Sequence, residues 1–321
     1  MDITVIILTY NEERHLQRCI ENVCDLCPVV FVVDSFSTDK TKIIAEALGA
    51  KVVQNKWNGL YARQFNWALE NLPINTKWVL RLDADEYLTD ELKREIKEKL
   101  VTLPEDVTGC VFKRRHVFLG KWMKAGIYPV ELLRLFQHQK AVCEQRLMDE
   151  HICLLEGRSV AFQHDFVDEN LNNLSWWSQK HVGYTVREAA DLLNLEYDFL
   201  KKSSIHREQC IQGITSEMEL GKQAKEKREK KVKYARLPLF WRAFAYFLYR
   251  YIVKGGYLEG KEGFLWHFLQ GWWYRTLVDA KIFEIKQKAT CNLLKEDVMI
   301  THESMRGMIL KILQDDYGVI I

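Results

Sequence analysis

The sequence predicts an α/β fold, a Rossmann-like mixed sheet flanked by helices, followed by a helical C-terminal extension. Three observations predict it. Apolar strand-like runs alternate with helix-length segments over the first hundred residues. Acidic and small polar residues gather where those runs end, and the last third of the chain is helical in pattern, first basic and then aromatic.

Ile3 to Leu8 is a continuous β-branched run, the signature of a parallel strand covered on both faces, and helix-like Glu12 to Val23 follows it. Val29 to Val33 reads as a second buried strand, Thr38 to Leu48 as a helix stopped by Gly49, and Lys51 to Gln54 as a short strand. Leu60 to Leu72 then reads as a helix, Trp78 to Leu82 as a strand and Glu91 to Leu100 as a helix. Beyond this the texture becomes irregular, with broken strands around Cys110 to His116, Leu132 to Gln137 and Ser159 to His164. From Leu171 onward the pattern is helical. We therefore divide the chain into an α/β domain over residues 1–195 and a helical, basic and aromatic extension over residues 196–321, expected to lie near a membrane.

At 321 residues and 48% hydrophobic content the chain can bury a sizeable core. A net charge of +2 excludes a generic nucleic-acid binder. The eight cysteines lack the dense spacing of a secreted disulfide scaffold, which points to a reducing, cytoplasmic setting. Cys24 and Cys27 form a CxxC without a second ligand pair, so helix-end packing is expected there rather than zinc. The opening run ITVIILTY lacks the parts of a secretory leader. The most apolar later stretch, Leu237 to Val253, is interrupted by Arg242 and Arg250 and falls short of the roughly 20 apolar residues that a spanning helix needs. Attachment to the inner face of the cell membrane is expected instead of passage through it.

The strongest chemical signal is Asp83-Ala84-Asp85-Glu86, placed directly after a hydrophobic strand. Ligands of open α/β sheets bind at such carboxyl ends. Gathered carboxylates repel one another unless a hard cation such as Mg²⁺ or Mn²⁺ neutralises them, and such ions bridge carboxylates to phosphate oxygens. Thr9-Tyr10-Asn11-Glu12 and Asp34-Ser35-Phe36-Ser37-Thr38 end two further strands, so three strand ends present polar groups at one edge. The same residues also suit helix N-caps, as Asp90 and Glu91 suit a helix N-terminus. No GxGxxG follows the first strand, and Gly255 to Lys261 matches a P-loop only by chance, with Glu262 where Ser or Thr is needed.

ITVIILTYNEE, VVDSFSTDKT, the segment from Trp57 through Arg63-Gln64 to Leu69, and WVLRLDADEYL together resemble the family 2 glycosyltransferases of GT-A fold, in particular the lipopolysaccharide core β-1,4-glucosyltransferase-like group. The resemblance implies a GT-A-like fold and an inverting, metal-dependent hexosyltransferase using a nucleotide diphosphate sugar, UDP-hexose first among them. It implies nucleotide contacts at Thr9, Asn11, Glu12 and Asp34, closure over the donor by Arg63 and Gln64, and a DxD pair at Asp83 and Asp85, the second binding the metal. It further implies an acceptor-activating carboxylate in the Asp149-Glu150-His151 segment, with Glu150 favoured and Asp149 the alternative. For His164 it implies a further metal or phosphate contact, a satisfied structural histidine being the other reading. The acceptor is expected to be a glycan or a lipid-linked saccharide. A sugar nucleotidyltransferase and a catalytically silent nucleotide-sugar-binding scaffold remain as rival readings.

Between Lys222 and Arg236 eight basic residues stand against Glu226 and Glu229, and LPLFWRAFAYFLYRYIV follows. The spacing of Arg242 and Arg250 puts both on one face of an otherwise apolar helix. The expectation is a helix in the membrane interface, with aromatic rings at headgroup depth and its cations, those arginines among them, on anionic lipid, released by high salt rather than by detergent.

Overall fold

A computed structural model of the chain describes residues 1–148, 150–199 and 229–319. These fall into two compact units, residues 1–145 with 150–172, and residues 146–148 and 173–199 with 229–319. The division comes at Asn172, so the long helix after it groups with the C-terminal helices, whereas the sequence reading drew its boundary near residue 195.

The first unit is built in the order β1 (Ile3–Thr9), α1 (Leu16–Val23), β2 (Val29–Asp34), α2 (Thr41–Ala47), β3 (Lys51–Gln54), α3 (Tyr61–Asn71) and β4 (Trp78–Asp83). It continues with β5 (Glu86–Leu88), α4 (Asp90–Lys99), β6 (Val107–Phe118), β7 (Lys121–Met123), β8 (Val130–Gln137), β9 (Ala141–Cys143), β10 (Ile152–Leu154) and β11 (Arg158–Glu169). The main sheet runs β3-β2-β1-β4-β8-β6-β11-β5, with β7 paired to β6, while β9 and β10 form a separate pair. β1 to β4 are mutually parallel, and β8 is antiparallel to both of its neighbours. The sheet is mixed, flanked by helices, and GT-A-like in order.

β1 is buried on both faces for the reason its composition gives. Val5 and Ile7 pack with Leu16, Ile20, Leu92 and Ile96 on the α1 and α4 side, and Ile6 packs with Phe65, Ala68 and Phe136 on the α3 side. The register Thr9↔Asp34 and Leu8↔Asp83 brings the carboxyl ends of β1, β2 and β4 to one edge.

Two expectations need correcting. The broken strands are longer than read: β6 and β11 have 12 residues each, because charges that interrupt the apolar pattern pair with one another. Arg115 meets Asp165 at 3.0 Å, and Arg114 and His116 meet Asp168 at 3.4 and 3.3 Å. Burial alone would push Asp168 up, but His116, Arg114 and Arg134 overcome it and hold the carboxyl well below its ordinary value. The polar strand ends do not cap the helices after them: α1 and α2 follow His15 and Lys40 without a side-chain cap, whereas Thr89 caps α4 and Asp90 and Glu91 stand in its first turn, as expected of acids at a helix N-terminus.

The cysteine pair behaves as expected, since Cys24 and Cys27 donate to the carbonyls of Glu21 and Val23 at the end of α1. In the second unit α5 (Leu174–Tyr197), α6 (Trp241–Leu248), α7 (Gly260–Trp266), α8 (Tyr274–Lys295) and α9 (His302–Asp315) confirm the helical C-terminal region. Among the described residues no helix is long and apolar enough to cross a membrane.

Asn66 on α3 exchanges two buried 2.8 Å hydrogen bonds with the Cys143 backbone, its Nδ2 donating to the carbonyl and its Oδ1 accepting from the N–H. Replacing Asn66 by Leu leaves both backbone groups of β9 without their partner, each costing about 1–3 kcal/mol. We expect Asn66→Leu to lower the denaturant midpoint accordingly, with unchanged stability showing that α3 does not depend on this tether.

Candidate active site

The candidate site grows from the edge where β1, β2 and β4 end. Asp34, fully buried at the end of β2, accepts from Thr9 Oγ1 at 3.2 Å, from the Ser37 N–H at 2.9 Å, from Gln54 Nε2 at 3.2 Å and from the Ser37 hydroxyl. Asn11 takes a left-handed conformation, φ 57°, which an asparagine tolerates better than most residues. Its N–H donates to Ser37 Oγ and its Oδ1 accepts from the Thr38 N–H, both at 2.8 Å. Glu12 donates its N–H to Thr41 Oγ1 at 2.7 Å, and its carboxylate lies 2.6 Å from His15 Nδ1. The buried His15 accepts the Leu171 N–H on Nε2 at 2.8 Å, so Nδ1 carries the proton and donates to Glu12. The four residues expected at the nucleotide are thus joined through Ser37, Thr38 and Thr41.

Gln64 is buried on α3 and ties the exit of β2 to that of β3. Its Nε2 donates to Ser35 Oγ at 3.2 Å and to the Asn55 carbonyl at 2.9 Å, while its Oε1 accepts from Asn55 Nδ2 at 2.9 Å. Arg63, on the first turn of α3 and half-buried, reaches the Asn58 carbonyl at 3.5 Å.

Asp83 ends β4 between two guanidiniums, with Arg81 Nη2 3.6 Å from one oxygen and Arg134 Nη2 3.6 Å from the other. Its own carboxylate remains 42% exposed. Arg81 Nη2 also lies 3.5 Å from Glu150 Oε1, so a single buried cation joins the candidate base to the DxD turn. Arg134 pairs in the same way with Glu86, whose Oε2 accepts the Asp83 N–H at 2.9 Å. Burial pushes Glu86 up to about 8 against the pull of Arg134. Burial likewise raises Glu150, with Arg81 opposing and Asp83 adding to the rise. Asp85 is positioned by its neighbours: Asn170 Nδ2 donates to its carboxylate at 3.1 Å, and its carbonyl accepts from the Glu169 N–H at 3.1 Å and from Arg18 at 3.2 Å.

Three carboxylates, Asp83, Glu86 and Glu150, therefore gather around two guanidiniums, and Asp85 stands in the same turn as Asp83, held by Asn170. Asp83 and Asp85 in one turn fit a hard divalent cation, which takes one or two protein carboxylates and completes its shell with water and phosphate oxygens. Among the described residues no group of three His, Cys, Asp or Glu forms a closed protein cage.

His164 is not part of this arrangement. It is exposed at an irregularity of β11, and its N–H, with that of Gln163, caps Glu95 of α4 at 3.1 and 3.0 Å. Five residues separate it from Glu169, whose N–H meets Asp85, which at about 3.3 Å per residue is about 16 Å of strand. The metal role is corrected accordingly. Asp149 lies outside the described residues.

Sequence reasoning missed Arg81, Arg134, His15 and Phe36. A signal for the first two existed, since an arginine inside WVLRLD or VELLRLF is costly in a doubly covered strand unless it meets buried carboxylates. Phe36 holds φ 62° and is half-exposed beside Asp34, a strained backbone state for a bulky residue that presents its ring at the same edge.

Residues 4–161 match the model of the family described as glycosyl transferase family 2. An uncharacterised glycosyltransferase of Rickettsia bellii (strain RML369-C) is 48% identical over 95 residues, covering 30% of this chain and 31% of that protein. The lipopolysaccharide core biosynthesis glycosyltransferase LpsC of Rhizobium meliloti (strain 1021) is 30% identical over 125 residues, 37% of this chain and 44% of that one. The chain thus spans less than half the length of these two curated relatives. The crystal structure of S. aureus TarS 1-349 is similar at TM-score 0.41 and 18% identity, covering 67% of this chain and 79% of that chain. The matched segment contains β1 from Thr4 onward, β2 to β10 and every candidate residue described above except His164, and this segment, residues 4–161, belongs to glycosyl transferase family 2.

Proposed function

We propose that the chain is an inverting, metal-dependent hexosyltransferase that moves a sugar from a nucleotide diphosphate donor, UDP-hexose by the family resemblance, to a glycan or lipid-linked acceptor. The observation that carries this reading is the Arg81 bridge, which holds a part-buried carboxylate, Glu150, beside the Asp83-Ala84-Asp85 turn. The nucleotide is held at the edge formed by Thr9, Asn11, Glu12 and Asp34, with the ring of Phe36 beside it, and Gln64 fixes the loops that frame this edge. Arg63 stands on the segment taken to close over the donor. Asp83 and Asp85 would hold Mn²⁺ or Mg²⁺, which when bound would neutralise charge on the departing diphosphate.

Glu150 accepts the proton of the acceptor hydroxyl. As that O–H bond breaks, the hydroxyl oxygen bonds to the anomeric carbon, and the bond from that carbon to the diphosphate oxygen breaks with its electron pair leaving on the diphosphate. Attack opposite the leaving group inverts the anomeric centre. Partial burial of Glu150 raises its basicity against the pull of Arg81. The likeness to a lipopolysaccharide core biosynthesis glycosyltransferase of Rhizobium supports a cell-surface glycan as acceptor, and the basic and aromatic C-terminal stretch supports an anionic membrane surface as partner, at the inner face of the cell membrane.

Three outcomes test this reading. Asp85→Ala, or chelation of the wild-type protein by EDTA, is expected to abolish transfer, with Mn²⁺ restoring only the chelated wild type, and transfer that persists in EDTA removes the metal. Glu150→Gln is expected to bind donor normally in calorimetry while turnover drops by about 10²- to 10⁴-fold. A Glu150→Gln enzyme of undiminished turnover moves the base elsewhere, Asp149 being the next residue to replace.

A base works ionised, and burial raises Glu150 above the ordinary carboxylate range, so activity should fall as pH drops through that raised value. Arg81→Met removes the opposing cation and should carry this acid limb to higher pH, with Arg81→Lys restoring it in part. An acid limb that is identical in all three proteins would detach Arg81 from the base.

A further inference from the structure

Helix α6 runs directly into a wider π-helical turn, Tyr249–Val253, and a short 3₁₀ turn, Gly256–Glu259. The two arginines expected to face lipid point inward. Arg242 is 3% exposed and pairs with the fully buried Asp279 of α8 through Nε at 2.7 Å and through Nη2 at 2.5 Å, and its Nη1 donates to the Ala235 carbonyl at 2.9 Å. Arg250 is 5% exposed and lies over the Tyr246 ring at 5.4 Å. With these arginines inside, the apolar side of the helix is left in solvent. Trp241 is 73% exposed, Val253 71% and Leu258 76%, and Tyr249, Ile252 and Tyr257 are about half exposed. Residues 241, 245, 249 and 253 follow one another at helical spacing, twelve residues or about 18 Å from first to last at 1.5 Å per residue, and Tyr257 and Leu258 are exposed in the short turn that follows.

Charge says what covers this stripe. Lys233 and Arg236 are exposed ahead of it, Lys254 within it and Lys261 after it. No acidic residue occurs between Lys230 and Leu258. An apolar strip of aliphatic, tyrosine and tryptophan side chains, with exposed cations at Lys233 and Arg236 ahead of it and at Lys254 within it and no anion from Lys230 to Leu258, matches the headgroup boundary of an anionic bilayer. The cationic stretch foreseen in the sequence begins at Lys222, and its first part lies outside the described residues.

We infer that Trp241, Tyr249, Ile252, Val253, Tyr257 and Leu258 form a bilayer-insertion face whose partner is an anionic lipid surface. The inference deepens the membrane-surface part of the proposed function and changes its mode. The lipid is met by apolar side chains, with exposed lysines at the rim, rather than by Arg242 and Arg250. Attachment should then outlast salt in part, whereas purely cationic attachment is screened away.

Co-sedimentation of the full chain with vesicles tests the face. The wild-type protein should sediment with phosphatidylcholine vesicles containing phosphatidylglycerol, bind pure phosphatidylcholine more weakly, and remain partly bound in high salt. Val253→Glu and Leu258→Glu each replace an inserting side chain by an anion and should weaken binding about tenfold or more, with circular dichroism and the unfolding midpoint unchanged. Wild-type protein that ignores both vesicles, variants that bind as tightly as wild type, or attachment abolished entirely by salt would each overturn the inference. So would variants that turn a self-associated wild type into a monomer, which would make the stripe an interface between copies. Donor turnover by the wild-type protein without vesicles is read separately, and its absence removes the transferase reading while leaving the vesicle result standing.

Discussion

The candidate site depends on two arginines held inside the sheet. Arg81 on β4 and Arg134 on β8 stand one step beyond the antiparallel pair Leu80↔Leu135, so the sheet sets them side by side. A guanidinium stripped of water is costly unless carboxylates surround it. Here Asp83 sits between the two, Glu86 on one side and Glu150 on the other. The same constraint fixes the acids, since Glu86 and Glu150 could not be buried as anions without these partners. Cation burial therefore orders the strand end, the turn after it and the segment carrying the candidate base as one electrostatic unit.

The parallel register does the rest of the positioning. Because Thr9 pairs with Asp34 and Leu8 with Asp83, the loops leaving β1, β2 and β4 emerge at one edge. Their polar residues bond to one another rather than capping the helices that follow, as Asn11 does with Ser37 and Thr38. A network of this kind holds the loops in place at no cost in unsatisfied backbone groups, and it leaves the aromatic rings of Tyr10 and Phe36 facing outward.

In the second unit the same principle produces an opposite-looking result. The Arg242 and Asp279 pair is sequestered, and satisfying that buried charge turns α6 so that its apolar stripe faces solvent. An amphipathic reading that sends every charge outward fails where a buried carboxylate waits for it, and Asp279, 37 residues further along the chain, carries no local mark of that role.

By itself the sequence determined the alternation of strands and helices in the first hundred residues, the doubly buried character of β1, the acidic turn at Asp83 to Asp85 and the helical C-terminal region. These are local properties, written in runs of β-branched residues and in residue types placed directly after them. Tertiary structure decided what depends on pairing at a distance. It joined Glu150 to Asp83 through Arg81, separated His164 from Asp85 along β11, extended β6 and β11 by matching their charges, and turned Arg242 and Arg250 inward. Periodicity reports which side chains share a face, but only the fold reports which opposite charge each face will meet.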